Sequence, residues 1–196
     1  NELATFRKLN SRLQGHPTTH EHLPGVRIAS GSLGQGMSVA IGAALTKKLN
    51  QDDGLVFSLH GDGELQEGQI WEAALYGSHN KVDNLISTID VNGQQIDGTT
   101  EQVLSLGNLH AKWEAFGWHV MEIDGNNIEA VIDALEMAKA VVEKPVMIIA
   151  YTIPGKGVDF MEYDFHWHGL PPNHEQAVLA LKELRTLKGK IRSEHE

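Results

Sequence analysis

Four short apolar runs, at 55–59, 85–89, 118–123 and 146–151, are separated by stretches long enough to hold helices. That alternation leaves few folds open. β-Branched and aromatic residues fill Leu55-Val-Phe-Ser-Leu59, and Leu85-Ile-Ser-Thr-Ile89 is similar. Each run stops at a turn, Gly61-Asp62-Gly63 and Asn92-Gly93 respectively, so both read as strands. Helices are expected over about 37–45, 65–79, 128–142 and 174–187, with a helix-like segment at 2–9. Strands alternating with helices give a parallel sheet joined by right-handed crossovers. The predicted fold is therefore α/β, a doubly wound parallel sheet with helices on both faces. No repeat, low-complexity run or linker divides residues 1–196, which read as a single domain. The chain opens on Asn1 and runs straight into the first helix-like segment, so an N-terminal segment of the domain is expected to be missing.

Composition removes several classes of function. The net charge of -10, from 26 acidic against 16 basic residues, argues against nucleic acid as a partner, because phosphate neutralisation needs clustered Lys and Arg. No cysteine is present, which excludes disulfides, thiolate catalysis and cysteine-type zinc sites. Apolar stretches such as 146–150 fall far short of the roughly 20 residues that cross a bilayer, so no membrane partner and a cytoplasmic location are expected.

The chemistry is concentrated at two strand ends. Asp62 and Asn92 lie 30 positions apart, one strand-helix-strand unit, so their side chains converge where ligands bind in such sheets, outside the carboxyl ends of the strands. Magnesium takes about six oxygen ligands and usually draws only one or two from protein side chains, leaving the rest to phosphates and water. One carboxylate, one amide oxygen, one backbone carbonyl and a diphosphate satisfy it. Gly61 and Gly63 let the backbone approach a phosphate closely, and Gly63 opens a helix whose free amides favour anions. Alone, Gly-Asp-Gly reads equally well as a plain turn. The pairing with Asn92 is what gives it weight.

Gly61-Asp62-Gly63 followed by Asn92-Gly93 resembles the thiamine-diphosphate signature, and Gly61-Asp62-Gly63-Glu64-Leu65-Gln66-Glu67-Gly68 resembles transketolases in particular. The resemblance extends in order through Gly15-His16-Pro17, Ser30-Gly31-Ser32-Leu33-Gly34-Gln35-Gly36, Gln95-Ile96-Asp97-Gly98, Gly155-Lys156-Gly157 and Trp167-His168-Gly169. It implies the cofactor-binding half of a transketolase holding thiamine diphosphate and a magnesium or calcium ion. By the same resemblance Asp62 and Asn92 ligate the metal through side chains, and Gln94 ligates it through its backbone carbonyl. Gly61 belongs to the cofactor loop, and Gly63 and His168 contact the diphosphate. Gly31 and Leu33 line the aminopyrimidine, Ile96 packs on the thiazolium side, and His16 reaches the reacting centre. Glu67 and Glu72 fall near a subunit interface in such dimers, although on their own they read as a solvated acidic pair.

The implied reaction moves a two-carbon ketol unit from a ketose phosphate such as xylulose 5-phosphate to an aldose phosphate, as in the pentose phosphate pathway. His16 and His168 assist proton movements. The implied partners are sugar phosphates and a separate pyrimidine-binding domain or subunit, in a homodimer or heterotetramer; the chain alone is not expected to turn over. Two other readings stay open: a deoxyxylulose-phosphate-synthase-like transferase, and a non-catalytic interaction domain that keeps the fold. Of the 11 histidines, His20, His22, His60, His79, His110, His119, His174 and His195 are expected to be structural or on the surface. His166 and His168, two apart with no third ligand near, make a weak metal pair.

Overall fold

A computed structural model describes residues 2–186. In chain order it contains α1 (Gln35–Leu49), β1 (Val56–Gly61), α2 (Gly68–His79), β2 (Leu85–Val91), a small hairpin of β3 (Gln94–Gln95) and β4 (Gly98–Thr99), α3 (Thr100–Leu104), α4 (Leu109–Ala115), β5 (His119–Asp124), α5 (Ile128–Ala138), β6 (Val146–Tyr151) and α6 (His174–Thr186). Single 3-10 turns occupy Glu2–Thr5, Gly63–Gln66 and Phe165–His168. The four apolar runs form one parallel sheet in the order β1-β2-β6-β5.

That order dictates which face each helix covers. The chain moves the same way along the sheet from β1 to β2 and from β2 to β5, then reverses to insert β6 between them. Right-handed crossovers put the helices of the first two steps on one face and the helix of the reversed step on the other. Accordingly Met37 and Ile41 of α1, Ile70 and Ala74 of α2, and Leu109 and Trp113 of α4 pack with Leu85, Ile89, Met147 and Ile149. Ala134 and Ala138 of α5 pack with Ile86, Val146 and Ile148 on the opposite face. β6 is buried over Val146–Ala150 because both layers press on it.

The second layer stops short of the sheet edge. Phe57 and Leu59 of β1 pair with Ile86 and Thr88, so they point to the α5 side, yet they are 54% and 74% exposed. Both faces are therefore covered over β2, β6 and β5, but one face of β1 is bare.

Several element boundaries differ from expectation for local reasons. The helix expected over 65–79 is split: a 3-10 turn follows Asp62, Glu67 is extended, and α2 begins at Gly68. Trp71 fastens the break by donating its indole N–H to Leu65 O at 2.9 Å. The helix expected over 128–142 ends at Ala138, before the β-branched pair Val141-Val142 and the left-handed Glu143. The segment 2–9 makes only a 3-10 turn over Glu2–Thr5, and α6 is described to Thr186, so the expected end at Leu187 lies outside the described residues. Among the described residues no helix is long and apolar enough to cross a membrane.

Candidate cofactor and metal site

Asp62 and Asn92 each follow the last residue of a strand, β1 and β2, which are direct neighbours. Asp62 is 1% exposed. One carboxylate oxygen accepts from its neighbour's N–H, Gly63, at 2.8 Å, and the other accepts from Gly93 N–H across the loop at 2.7 Å. Burial pushes its pKa above the ordinary 3.8; the charge of Asp90 pushes the same way, and the backbone donors Gly93, Gly63 and Asn92 pull against it. Neither Asp62 nor Asp90 has a Lys or Arg partner among the described residues.

Asp90 sets the orientation of Asn92. Its Oδ2 accepts from Asn92 Nδ2 at 2.9 Å while its Oδ1 accepts a short bond from the Thr152 hydroxyl. The amide nitrogen is thereby committed to Asp90, which turns Asn92 Oδ1 the other way, where it accepts from Gln94 N–H at 2.9 Å and keeps a second lone pair. Gln94 is buried, and its side-chain oxygen has no hydrogen-bond partner.

These residues fit a divalent cation. The Asp62 carboxylate uses two of about four lone-pair positions on amide donors, and among the described residues neither it nor the neighbouring Asp90 carboxylate has a Lys or Arg to balance it. Uncompensated buried charge of this kind is costly unless paired or coordinated to a metal. Among the described residues no group of three or more His, Cys, Asp or Glu is placed to hold a metal. An ion here thus depends on one carboxylate, amide and carbonyl oxygens, and ligand phosphates, the pattern magnesium prefers.

The remaining predicted residues gather in two groups around the end of β1. In the first, Gly31 has φ +113, and a Cβ built on it would lie 2.7 Å from His16 Cγ, so the imidazole packs directly on that glycine. A cleft lined by Ser30, Gly31, Leu33, His60 and Glu64 runs beside it, with Leu33 exposed. In the second, a Cβ on Gly169 would meet Ile96 Cδ1 at 2.8 Å, which seats Ile96 next to His168, itself exposed in the 165–168 turn. Gly63 lies against Gln95, the neighbour of Ile96. No hydrogen bond joins His16 or His168 to Asp62 or Asn92 among the described residues.

The other residues singled out in the sequence are placed as follows. The Gly63 amide is not free, since Asp62 takes it; what Gly63 offers a phosphate is the missing side chain. Gly61 has open space where a Cβ would be. Glu67 occupies the N-cap position of α2 without a side-chain capping bond and Glu72 lies within the helix, both exposed. His166 bonds Asp164 at 2.6 Å and stacks on Phe165. His60, one of the histidines left to structure or surface, is buried, with Ser58 Oγ at 2.9 Å from Nε2. Sequence reasoning missed Asp90 and Thr152. The available signal was an acidic residue in Ile89-Asp90-Val91, at the end of a strand otherwise buried.

A buried carboxylate, a locked amide oxygen and glycine-lined loops at adjacent strand ends define an α/β domain built to hold a diphosphate cofactor. Residues 1–189 match the family described as "Transketolase, thiamine diphosphate binding domain", and the chain belongs to it. It is 40% identical over 191 residues to one subunit of the apulose-4-phosphate transketolase of Phocaeicola vulgatus, covering 97% of this chain and 67% of that one. It is 42% identical over 160 residues to a 6-deoxy-6-sulfo-D-fructose transketolase subunit from a Clostridium species, covering 82% and 58%. The fold superposes on the transketolase of Campylobacter jejuni with a TM-score of 0.86 at 36% identity, over 93% of this chain and 29% of that one. The chain thus spans about two thirds or less of the subunits it matches, and under a third of that transketolase.

Proposed function

We propose that this chain is the cofactor-binding half of a transketolase, transferring a two-carbon ketol unit from a ketose phosphate to an aldose phosphate with magnesium and thiamine diphosphate. The observation that carries the reading is Asp62: a buried carboxylate with no Lys or Arg partner among the described residues, one strand over from an Asn92 amide oriented by Asp90, inside a thiamine-diphosphate-binding domain. Asp62, Asn92 and the Gln94 carbonyl hold the metal; Gly63 and His168 contact the diphosphate. Gly31 and Leu33 form the wall against the aminopyrimidine, and Ile96 lies on the thiazolium side. When bound, thiamine diphosphate supplies a nucleophilic carbon and a sink for the electrons released by carbon-carbon cleavage. His16 holds the donor's hydroxyl and, with His168, moves protons at the reacting centre.

A pyrimidine-binding domain on a second polypeptide completes the site, as the word "subunit" in the names of the two relatives suggests. The exposed Glu67 and Glu72 suit the contact between the halves or between copies in a homodimer or heterotetramer, and the location is cytoplasmic. The decisive assay incubates the full polypeptide and its pyrimidine-domain partner, together and apart, with aldose phosphate acceptors and either a ketose phosphate or pyruvate as donor. Products are followed by mass spectrometry. Two-carbon transfer by the pair, and none by either half, is expected. Pyruvate consumption with carbon dioxide release would show a deoxyxylulose-phosphate-synthase-like enzyme instead, and no chemistry from an assembled pair would show an interaction domain.

A further inference from the structure

The loop that carries Gly31 and Leu33 is mostly exposed, from Ile28 to Leu33. Its other main-chain anchors are Ser30 N–H to Pro17 O at 3.1 Å and Gln35 N–H to Ser32 O at 3.4 Å. Against that loose background one peptide unit is held at both ends. Leu33 O accepts from Gln69 Nε2 at 3.0 Å, and Gly34 N–H donates to Glu64 Oε1 at 2.7 Å. Both atoms belong to the single planar group between Leu33 and Gly34, so two bonds fix its position and its tilt. The fit is close: Gly34 has φ +82, and a Cβ there would lie 2.8 Å from Gln69 Nε2 and 3.0 Å from Glu67 Cβ.

Glu64 also ties that peptide to the metal side. Its other oxygen accepts from Gly61 N–H at 3.3 Å, one residue before Asp62, and faces His60 Nδ1 at 3.3 Å. The Glu64 side chain is 12% exposed, and the His60 ring beneath it 1%. A single carboxylate therefore spans the Gly34 loop and the end of β1, and a charged acceptor in such a place makes stronger bonds than a neutral one.

We propose that Glu64 and Gln69 are positioning residues that clamp the Leu33–Gly34 peptide and hold the aminopyrimidine wall at a fixed distance from the metal ligand Asp62. The inference rests on the reading of this loop as that wall. Preorganised contacts raise affinity by removing the ordering cost from the binding step, so a released clamp weakens the whole cofactor more than its phosphate end.

The test uses the full polypeptide with its pyrimidine-domain partner and two calorimetric probes at saturating magnesium: thiamine diphosphate, and inorganic diphosphate, which reports on the metal and phosphate half alone. Gln69→Ala is expected to weaken thiamine diphosphate about tenfold and inorganic diphosphate less than about twofold, with faster hydrogen exchange at the Gly34 amide. Glu64→Ala weakens it further, and Glu64→Gln, which keeps an acceptor oxygen, recovers most of the loss. If Glu64→Ala fails to fold, Gln69→Ala still decides. Unchanged thiamine diphosphate affinity in Gln69→Ala overturns the positioning role, even where Gly34 exchanges faster. Equal weakening of both probes overturns it too, as a general structural effect. A wild-type assembly that binds inorganic diphosphate but not thiamine diphosphate overturns the underlying reading of the loop.

Discussion

Asp62→Ala is expected to abolish metal-dependent cofactor binding, with a loss of at least about a hundredfold, because it removes the buried carboxylate proposed as a ligand; even outer-shell partners of a metal are worth about 10- to 100-fold. The substitution has a separate structural cost. Gly63 N–H and Gly93 N–H lose their acceptor, and a buried donor left unpaired costs about 1–3 kcal/mol. The two effects separate in thermal unfolding. The wild-type protein is expected to be stabilised by metal and cofactor together, whereas Asp62→Ala is expected to start lower and show no metal-dependent shift. The pH dependence has a definite sign. In the metal-free protein burial raises the Asp62 pKa above 3.8, so this group favours the fold below that value and loses that contribution as pH rises through the raised one. A divalent ion binds the ionised form, so the shift it produces is full at neutral pH and shrinks as acid protonates Asp62. A shift that persists in Asp62→Ala would remove this residue from the metal site.

Gly31→Ala is expected to lower the transfer rate of the assembled enzyme by about a hundredfold, the scale of loss for an ångström of misplacement at a reacting centre. The new Cβ would sit 2.7 Å from His16 Cγ and 2.9 Å from His16 Nδ1, at a backbone φ of +113 that only glycine adopts readily. The imidazole must move off the glycine, and the loop that carries Leu33 is strained by about 1–3 kcal/mol. Metal binding at Asp62 and Asn92 lies outside this contact and stays intact. Steady-state kinetics beside a manganese titration followed by electron spin resonance checks both halves. A normal rate would mean that His16 is not at the reacting centre. Weakened metal binding would mean that the two loops are coupled more tightly than the contacts indicate.

The strands and the placing of Asp62 and Asn92 at neighbouring strand ends were legible for the same reason: both follow from the pattern of apolar runs and the turns that end them. Apolar runs ending at Gly61-Asp62-Gly63 and Asn92-Gly93 placed the first two strands to within one or two residues, and adjacent parallel strands then bring Asp62 and Asn92 to one end of the sheet. What escaped depends on contacts distant in sequence. Thr152 reaches Asp90 across 62 positions, and Glu64 reaches Gly34 across 30; no local pattern announces either. The hairpin over 94–99 is too short to show a period. The bare face of β1 was hidden because an exposed Phe57 or Leu59 looks, in sequence, like any inward strand residue.

Binding of thiamine diphosphate through a metal held at Asp62 and Asn92 is tested most directly by calorimetry. The cofactor is titrated into the full polypeptide with its pyrimidine-domain partner, in magnesium and again after chelation of all divalent ions. Saturable binding in magnesium that disappears on chelation is the predicted result. Equal binding with and without the metal, or none in either, would contradict it.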